Sequence, residues 1–292
     1  MSGNNKISEL EALISMLDEP SESVFTKVRE KILDYGMKAV PHLKNSWDNS
    51  FDDSLQKRIT EIIQSIRQTD LIAGLINWRN SEKLNLLKGY YLASRYINAD
   101  LDLAVIEAKI DRITRDIWVE LNDKLTALEK IRVMNHVVFE SYGFTGKIEN
   151  PELPESFSIS HILDSHKGNH LTLGILMIIL AQKLEIPVYG VDLPQHFILC
   201  YTDEVRDEKV AVHNESEILF YINPYNQGAV FTRRDIEVFI KHQKLQPSPS
   251  YYKPCDNLAI LRRLFSSIII ACKKLGQADR VKEIKKISDL LK

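Results

Sequence analysis

The sequence predicts an α+β protein in which one buried helix packs on a small antiparallel sheet, with helical segments on either side. Apolar residues recur at helical spacing through the first 140 residues. The apolar stretch over 171–181 then covers every face of a helix, which is typical of a buried one. After that stretch the apolar period changes from about 3.6 to about 2 residues, as it does in strands.

Residues 1–83 are predicted to form a helical subdomain. Its helical patterns include one over 53–66 and a further one through Trp78. Two similar helical segments carry Trp47 and Trp78 at equivalent positions, a pattern typical of stacked HEAT-like repeats. An irregular helical subdomain is the alternative interpretation.

Residues 84–245 are predicted to form the core of the protein. Helices continue to about residue 140, and the buried helix begins near His170. Thr232 and Asp235 have the spacing of a capping box, which predicts a helix after them. Short links between the predicted strands favour antiparallel pairing. Those strands cover 188–192, 196–201, 209–213 and 218–223.

Residues 246–292 are predicted to form a linker followed by a helical hairpin. The linker is rich in proline and serine from Gln246 to Pro254. Two helical patterns, over 257–274 and 278–291, follow it and are broken at Gly276.

Bulk composition excludes several classes of function. A formal net charge of −2 provides no general attraction to nucleic acid or to an anionic membrane. The apolar stretch over 171–181 is too short to span a bilayer. The polar N-terminus has no signal-peptide core, and the three cysteines form no CxxC pair. We therefore predict a cytoplasmic protein.

No metal site or cofactor is predicted. The sequence contains no P-loop, GxGxxG or GxSxG pattern. His161, Asp164, His166 and His170 lie near one another in the chain. Gly168 interrupts any helix across them, so the i,i+4 face on which HExxH proteins hold zinc is not available.

The start of the buried helix is the first candidate site. A helix N-terminus carries partial positive charge and free N–H groups, which stabilise an anionic nucleophile or an oxyanion. Thr172 is the only side-chain nucleophile in the first turn, and Gly168, Asn169 and His170 surround it as candidate binding residues. In the alternative interpretation, the Thr172 hydroxyl caps the helix and takes no part in chemistry.

Two strand ends supply the remaining candidates. His196 begins a predicted strand, where an imidazole can act as a general base, and Gln195 beside it is a candidate binding residue. Asn223 ends another strand, where an amide can hold an imidazole in one tautomer. A partly buried structural histidine and simple Asn-Pro turn chemistry are the alternatives.

Taken together, four segments of the chain resemble the bacterial SirB-type invasion-regulator family of the transglutaminase-like superfamily. The resemblance covers roughly residues 85–240, and its segments are 135–146, 162–174, 184–197 and 223–228. It implies a papain-like core in which a nucleophile-bearing helix precedes a His strand and an Asp or Asn strand.

Three residues depart from the pattern of the family that the chain resembles. His170 stands where proline is usual, Gln195 where glycine is usual, and Asn223 where aspartate is usual. In catalytic members of the superfamily a cysteine opens the buried helix, at a position near His170. This chain has no cysteine there.

The resemblance and the missing cysteine together predict a non-catalytic protein. We expect it to bind a peptide or protein partner in a degenerate Cys-His-Asp-type cleft. One alternative is a hydrolase or acyl-transferase that uses Thr172, His196 and Asn223. Another is a regulatory scaffold that acts through the HEAT-like N-terminal region.

Overall fold

The structure, a computed structural model, describes residues 2–82, 85–147, 150, 152–203 and 218–292. The chain divides into two compact units, residues 1–74 and 75–292. The sequence-based division at residues 83 and 245 stays a prediction. The predicted strand over 209–213 lies outside the described residues.

Four helices begin in the first unit, and their apolar faces form one core. They are α1 (Ser2–Ser15), α2 (Glu22–Asp34), α3 (Val40–Asp48) and α4 (Asp53–Asn77). The buried residues of this core include Leu10, Leu13, Leu17, Val28, Ile32, Leu43, Ile59, Ile62 and Ile66. The HEAT-like repeat arrangement of these helices stays a prediction.

The structure corrects one predicted boundary in this region. The sequence pattern predicts a helix ending near Ile66 and a further helix through Trp78, but α4 is continuous from Asp53 to Asn77. The four residues that follow Ile66 include no glycine or proline. Nothing in their backbone chemistry therefore ends the helix.

Among the described residues, four α-helices lie between α4 and the buried helix. They are α5 (Leu86–Arg95), α6 (Leu103–Glu120), α7 (Ala127–Asn135) and α8 (Ile159–Ser165). A π-helical segment, His136–Ser141, continues directly from α7. At α7, Thr126 and Glu129 form a reciprocal capping box, which explains where that helix begins.

Helix α9 (His170–Lys183) is the buried helix that the sequence predicted. Every residue from Leu171 to Ala181 is buried. This burial follows from the all-round apolar character of the segment, because a helix without a polar face is stable only inside a protein.

Within the described residues, four antiparallel strands form the predicted small sheet. They are β1 (Val188–Leu193), β2 (His196–Thr202), β3 (Ile218–Asn223) and β4 (Ala229–Phe231), and they neighbour one another in chain order. The first three occupy predicted segments. β4 was not predicted, because three residues are too few to show a period of 2.

Helices cover both faces of the sheet. Gly174 of α9 lies against Phe197 and Leu199 of β2, so this face of the sheet packs on the buried helix. On the other face, helix α10 (Arg233–His242) contributes Ile236 and Ile240 to a cluster with Ile198, Cys200 and Tyr221. The predicted Thr232–Asp235 cap opens α10, and Thr232 N–H donates to Asp235 Oδ2 over 2.8 Å.

Two helices, α11 (Asn257–Lys274) and α12 (Ala278–Asp289), close the chain. Gly276 lies between them with a φ of +69°, a conformation that glycine adopts without strain. Near the start of α11, Arg262 Nε donates to Leu291 O over 2.7 Å. Among the described residues, every helix is too short or too polar to cross a bilayer.

Candidate functional site

Three of the four motif segments meet at the N-terminal end of α9. Thr145 N–H donates to His166 O over 2.9 Å, and Gly168 N–H donates to Thr145 O over 3.0 Å. On the other side, Phe197 N–H donates to His170 Nδ1 over 3.1 Å. The residues that carry the family resemblance therefore surround one helix end.

The fourth motif segment, the turn after β3, joins the same region. The ring of Tyr225 packs closely against Gly146. A Cβ added to that glycine would lie only 2.7 Å from the ring. Asn135 Nδ2 donates to Gly228 O over 2.9 Å. Glycine is required at both positions by the closeness of these neighbours.

Thr172 is part of the cap of α9. Asn169 Oδ1 accepts from Leu171 N–H over 2.9 Å and from Thr172 N–H over 3.0 Å. In return, Thr172 Oγ1 accepts from Asn169 N–H over 3.0 Å, and its own hydroxyl faces Asn169 O at 3.4 Å. The Thr172 side chain is 0% exposed. This geometry agrees with the capping interpretation rather than with a free nucleophile.

Gly168 provides the space in which this cap forms. A Cβ at Gly168 would lie 2.8 Å from both Thr172 Oγ1 and Ile162 Cδ1. These distances are shorter than real side chains tolerate, so a larger residue would displace the hydroxyl that caps the helix. Gly168 thus contributes to the cap by packing, and its role as a binding residue stays a prediction.

His170 lies on the side of the helix start that faces β2. Its Nδ1 accepts the Phe197 N–H, so in the neutral ring the proton resides on Nε2. Burial, with Arg263 and His196 nearby, lowers the pKa of His170 to about 4. The imidazole is therefore a neutral hydrogen-bond donor at physiological pH.

His196 is an exposed residue next to His170. The two ring centroids are 5.8 Å apart, and the ring of Phe239 meets His196 edge-on at 5.0 Å. Partial burial lowers the pKa of His196. We call the group formed by His170, His196 and Phe239 the imidazole cleft.

The strand geometry directs His196 away from Thr172. Side chains alternate along β2, and Phe197 and Leu199 face α9. His196 therefore projects from the opposite face, on which Phe239 of α10 lies. Among the hydrogen bonds of the described residues, none joins Thr172 to His196.

Asn223 uses its amide oxygen within its own turn. Oδ1 accepts from Tyr225 N–H over 3.1 Å and from Asn226 N–H over 3.3 Å. The β2–β3 register, continued by one residue from Leu199 and Ile222, sets Asn223 opposite Ile198. Among the described hydrogen bonds none joins Asn223 to His196, so the geometry favours the turn interpretation.

Gln195 forms the tight turn between β1 and β2 together with Pro194. Leu193 pairs with His196 across this turn, and Gln195 has a φ of +63°. Proline followed by a residue of positive φ is the pattern of a type II turn, in which glycine is the usual second residue. Gln195 is exposed, and its backbone determines where His196 begins its strand.

Three further residues, Asp192, Phe239 and Arg263, belong to this region and were not predicted from the sequence. Arg263 of α11 forms an ion pair with Asp192 and donates to Leu193 O over 3.0 Å. Its guanidinium also lies over the ring of Phe197, 6.0 Å from the centroid. Phe239 and Arg263 belong to helices far along the chain, so no local pattern could have linked them to His196.

The tautomer of His170 disfavours metal binding. A metal on Nε2 would require the proton to move to Nδ1, where it would oppose the Phe197 N–H. Within the part of the chain that the structure describes, no three His, Cys, Asp or Glu side chains are close enough to share a metal ion.

Comparison with known proteins supports the motif resemblance. Protein SirB1 of Salmonella typhimurium is 24% identical over 207 residues, 71% of this chain and 65% of that protein. The UPF0162 protein of Vibrio cholerae is 20% identical over 185 residues, 62% of this chain and 64% of its own. The UPF0162 protein YchA of Escherichia coli K12 is 21% identical over 189 residues, which are 64% of this chain and 66% of that protein. This chain thus spans just under two thirds of each relative.

A sequence profile of the transglutaminase-like superfamily matches residues 104–266, which is more than half of the chain. No solved structure matches the chain. The match includes α9, the whole sheet and Arg263. The predicted resemblance is confirmed, and the chain belongs to the transglutaminase-like superfamily as a SirB-type member.

Proposed function

We propose that this protein is a non-catalytic member of its superfamily and binds a peptide or protein segment in the imidazole cleft. One observation carries the proposal. The Thr172 hydroxyl is enclosed in the cap of α9, whereas the His170 imidazole lies beside the exposed imidazole of His196, which a partner can reach.

The chemistry of the cleft suits a carbonyl-bearing ligand. His170 offers a neutral Nε2–H whose direction is set by the Phe197 N–H at the other ring nitrogen. The charge of Arg263 is matched by Asp192. A main-chain carbonyl therefore suits the donor better than a charged group, since no unmatched charge among the described residues of the cleft awaits a counterion.

His196 and Phe239 add an apolar surface beside this donor. Their edge-on contact presents an aromatic ring with a polar imidazole tip, a combination common where one protein binds another. Pre-organised groups of this kind lose little conformational freedom on binding. We further propose a cytoplasmic setting, with which the three free cysteines agree.

Random-peptide display on the immobilised full chain tests the proposal. Selected peptides are labelled with fluorescein, and their affinity is measured by fluorescence polarisation. We expect His196→Ala to weaken binding at least about tenfold, because central aromatic and polar anchors carry most of an interface's binding energy. His196 is exposed, so the variant should keep its Tm.

His242→Ala is the matched control. His242 is also an exposed histidine, and it ends α10 outside the cleft. This variant should bind the selected peptides as the wild type does. The proposal fails if display yields no peptides, or if the selected peptides bind His196→Ala as tightly as the wild type.

A further inference from the structure

An open pocket lies at the C-terminal end of α10, where the chain leaves that helix. Its volume is about 430 Å³, within the range of pockets that hold small organic molecules. The described residues that line it are separate from the imidazole cleft, and the peptide-binding function proposed above makes no use of them. They include Glu237, Ile240, Lys241, Lys244, Leu245 and Tyr252.

The floor of the pocket is apolar. Ile240 and Tyr252 are 3% and 7% exposed in the cluster that packs on the sheet, and Leu245 packs against the same cluster. The guanidinium of Arg233 lies over the Tyr252 ring, 4.3 Å from its centroid, and the Tyr221 hydroxyl donates to Tyr252 O over 2.9 Å. These contacts hold the floor in place before a ligand binds. Such a surface favours the hydrocarbon part of a ligand.

Two lysines give the rim of the pocket a positive charge. Lys241 and Lys244 are exposed, and within the described part of the chain neither forms an ion pair. Glu237, by contrast, is paired with Arg233 Nε over 3.3 Å. A single cation is common at a helix C-terminus, where it stabilises the partial negative charge of the carbonyls. Here two cations border one pocket, and their unmatched charge favours an anionic ligand.

The cap of α10 fixes where Lys244 stands. Leu245 N–H donates to Ile240 O over 3.0 Å, and Lys244 N–H donates to Lys241 O over 3.2 Å, the arrangement of a Schellman cap. Lys244 has a φ of +54° at the position that glycine usually occupies, because glycine adopts a positive φ without strain. The cap therefore holds a lysine beside the pocket at a position where glycine would cost less.

The main-chain N–H groups around the pocket are already used. Lys244 and Leu245 donate theirs to the last turn of α10. Tyr252 N–H donates to Pro249 O over 3.2 Å, and Pro247, which also lines the pocket, has no N–H. An extended peptide would therefore bury its carbonyls here without donors. A small acid has only its carboxylate to satisfy, and lysine side chains do so.

We propose that this pocket binds a small organic carboxylate with an apolar body. The carboxylate lies between Lys241 and Lys244, and the hydrocarbon part covers the floor formed by Ile240, Leu245 and Tyr252. Charge-assisted hydrogen bonds select the anion, and burial of the apolar part supplies the rest of the affinity. The inference is independent of the imidazole cleft, so His196→Ala should leave this binding unchanged.

A ligand-observed NMR titration of the full chain with octanoate, at pH 7 and low ionic strength, tests the proposal. We expect saturable binding with a Kd of about 1 mM or below, given a ligand of this size. Butyrate should bind at least about tenfold more weakly, because it covers less of the apolar floor. Octylamine, which carries the opposite charge on a similar chain, should show no saturable binding.

The double variant Lys241→Gln/Lys244→Gln removes both charges of the rim. It should weaken octanoate binding about fivefold or more, and it should keep its fold because both side chains are exposed. Lys285→Gln/Lys286→Gln is the matched control, since it removes two exposed lysines of α12 and changes the net charge equally. This control should bind octanoate as the wild type does.

Three results would overturn the proposal. The first is the absence of saturable octanoate binding to the wild type. The second is equal binding of octanoate and octylamine, which would mean that the lysines of the rim do not select an anion. The third is equal affinity of the two double variants for octanoate, which would place the binding elsewhere on the chain.

Discussion

The two sides of the first turn of α9 differ in what their polar side chains contact. On one side, Asn169 and Thr172 exchange hydrogen bonds with each other and with the free N–H groups of the helix. On the other side, His170 accepts one N–H from β2 and approaches the exposed ring of His196. The first side closes the helix, and the second is open to a ligand.

This difference shows that position in a motif does not by itself decide chemistry. Thr172 occupies the first turn of the helix on which catalytic members of the superfamily carry their nucleophile, yet its hydroxyl accepts the buried Asn169 N–H. His170 departs from the family pattern, and its imidazole ring is the one that lies beside the ring of His196. The side of the helix on which a residue falls determines its neighbours.

The largest expected effect concerns the protonation of His170. Its pKa is lowered to about 4 in the folded protein, against an ordinary value of 6.5. Between these values the unfolded chain binds a proton that the folded chain does not, so stability falls as the pH drops from 6.5 to 4. At pH 4 this difference in proton binding lowers the free energy of unfolding by about 3 kcal/mol.

Denaturant unfolding of the wild type and of His170→Gln, at pH 7 and at pH 4, measures this effect. The free energy of unfolding of the wild type should fall by about 3 kcal/mol more than that of the variant over this interval. Parallel losses in the two proteins would mean that His170 titrates as an exposed histidine. The burial that distinguishes His170 from the exposed ring of His196 would then be absent.

The next effect tests the closed side. In Asn169→Ala the buried N–H groups of Leu171 and Thr172 lose their acceptor, which should cost about 2 kcal/mol of folding free energy. Asn85→Ala is the matched control, because Asn85 caps α5 with a single bond to Lys88 N–H at an exposed site. The Asn85→Ala variant should lose about half as much folding free energy as Asn169→Ala. Equal losses in chemical denaturation would show that burial adds nothing to the α9 cap.

Much of the fold could be predicted from the sequence, because local periodicity determines it. The all-round apolar stretch gave the position of α9, and alternating residues gave β1, β2 and β3. The continuity of α4 was not predicted, because the apolar pattern was divided at Ile66 although neither glycine nor proline follows there to end a helix.

The site was less predictable, because its contacts join distant parts of the chain. The capping geometry of Thr172 was an open alternative, and only the three-residue spacing to Asn169 hints at it. The approach of His170 to His196 depends on a turn at Gln195 and on the register of β2. Arg263 and Phe239 arrive from helices whose packing no local pattern encodes.

The smallest expected effect separates a cap from a nucleophile at Thr172. Thr172→Val keeps the shape of the side chain but leaves the Asn169 N–H buried without an acceptor, at a cost of about 1 kcal/mol. Thr172→Ser keeps the hydroxyl and should recover most of that loss. Thermal or chemical unfolding of the two variants measures the difference.

The same residue gives an opposite expectation if the protein is a hydrolase. A serine-reactive phosphonate would then label Thr172 in the wild type and would react faster with the Thr172→Ser variant, while His196→Ala would abolish labelling. We expect no labelling at this position, because the hydroxyl is fully buried and its acceptor and donor roles are taken by Asn169. Detection of labelled Thr172 by mass spectrometry would contradict this expectation and would mean that the side of the α9 turn with Asn169 and Thr172 is the reactive one.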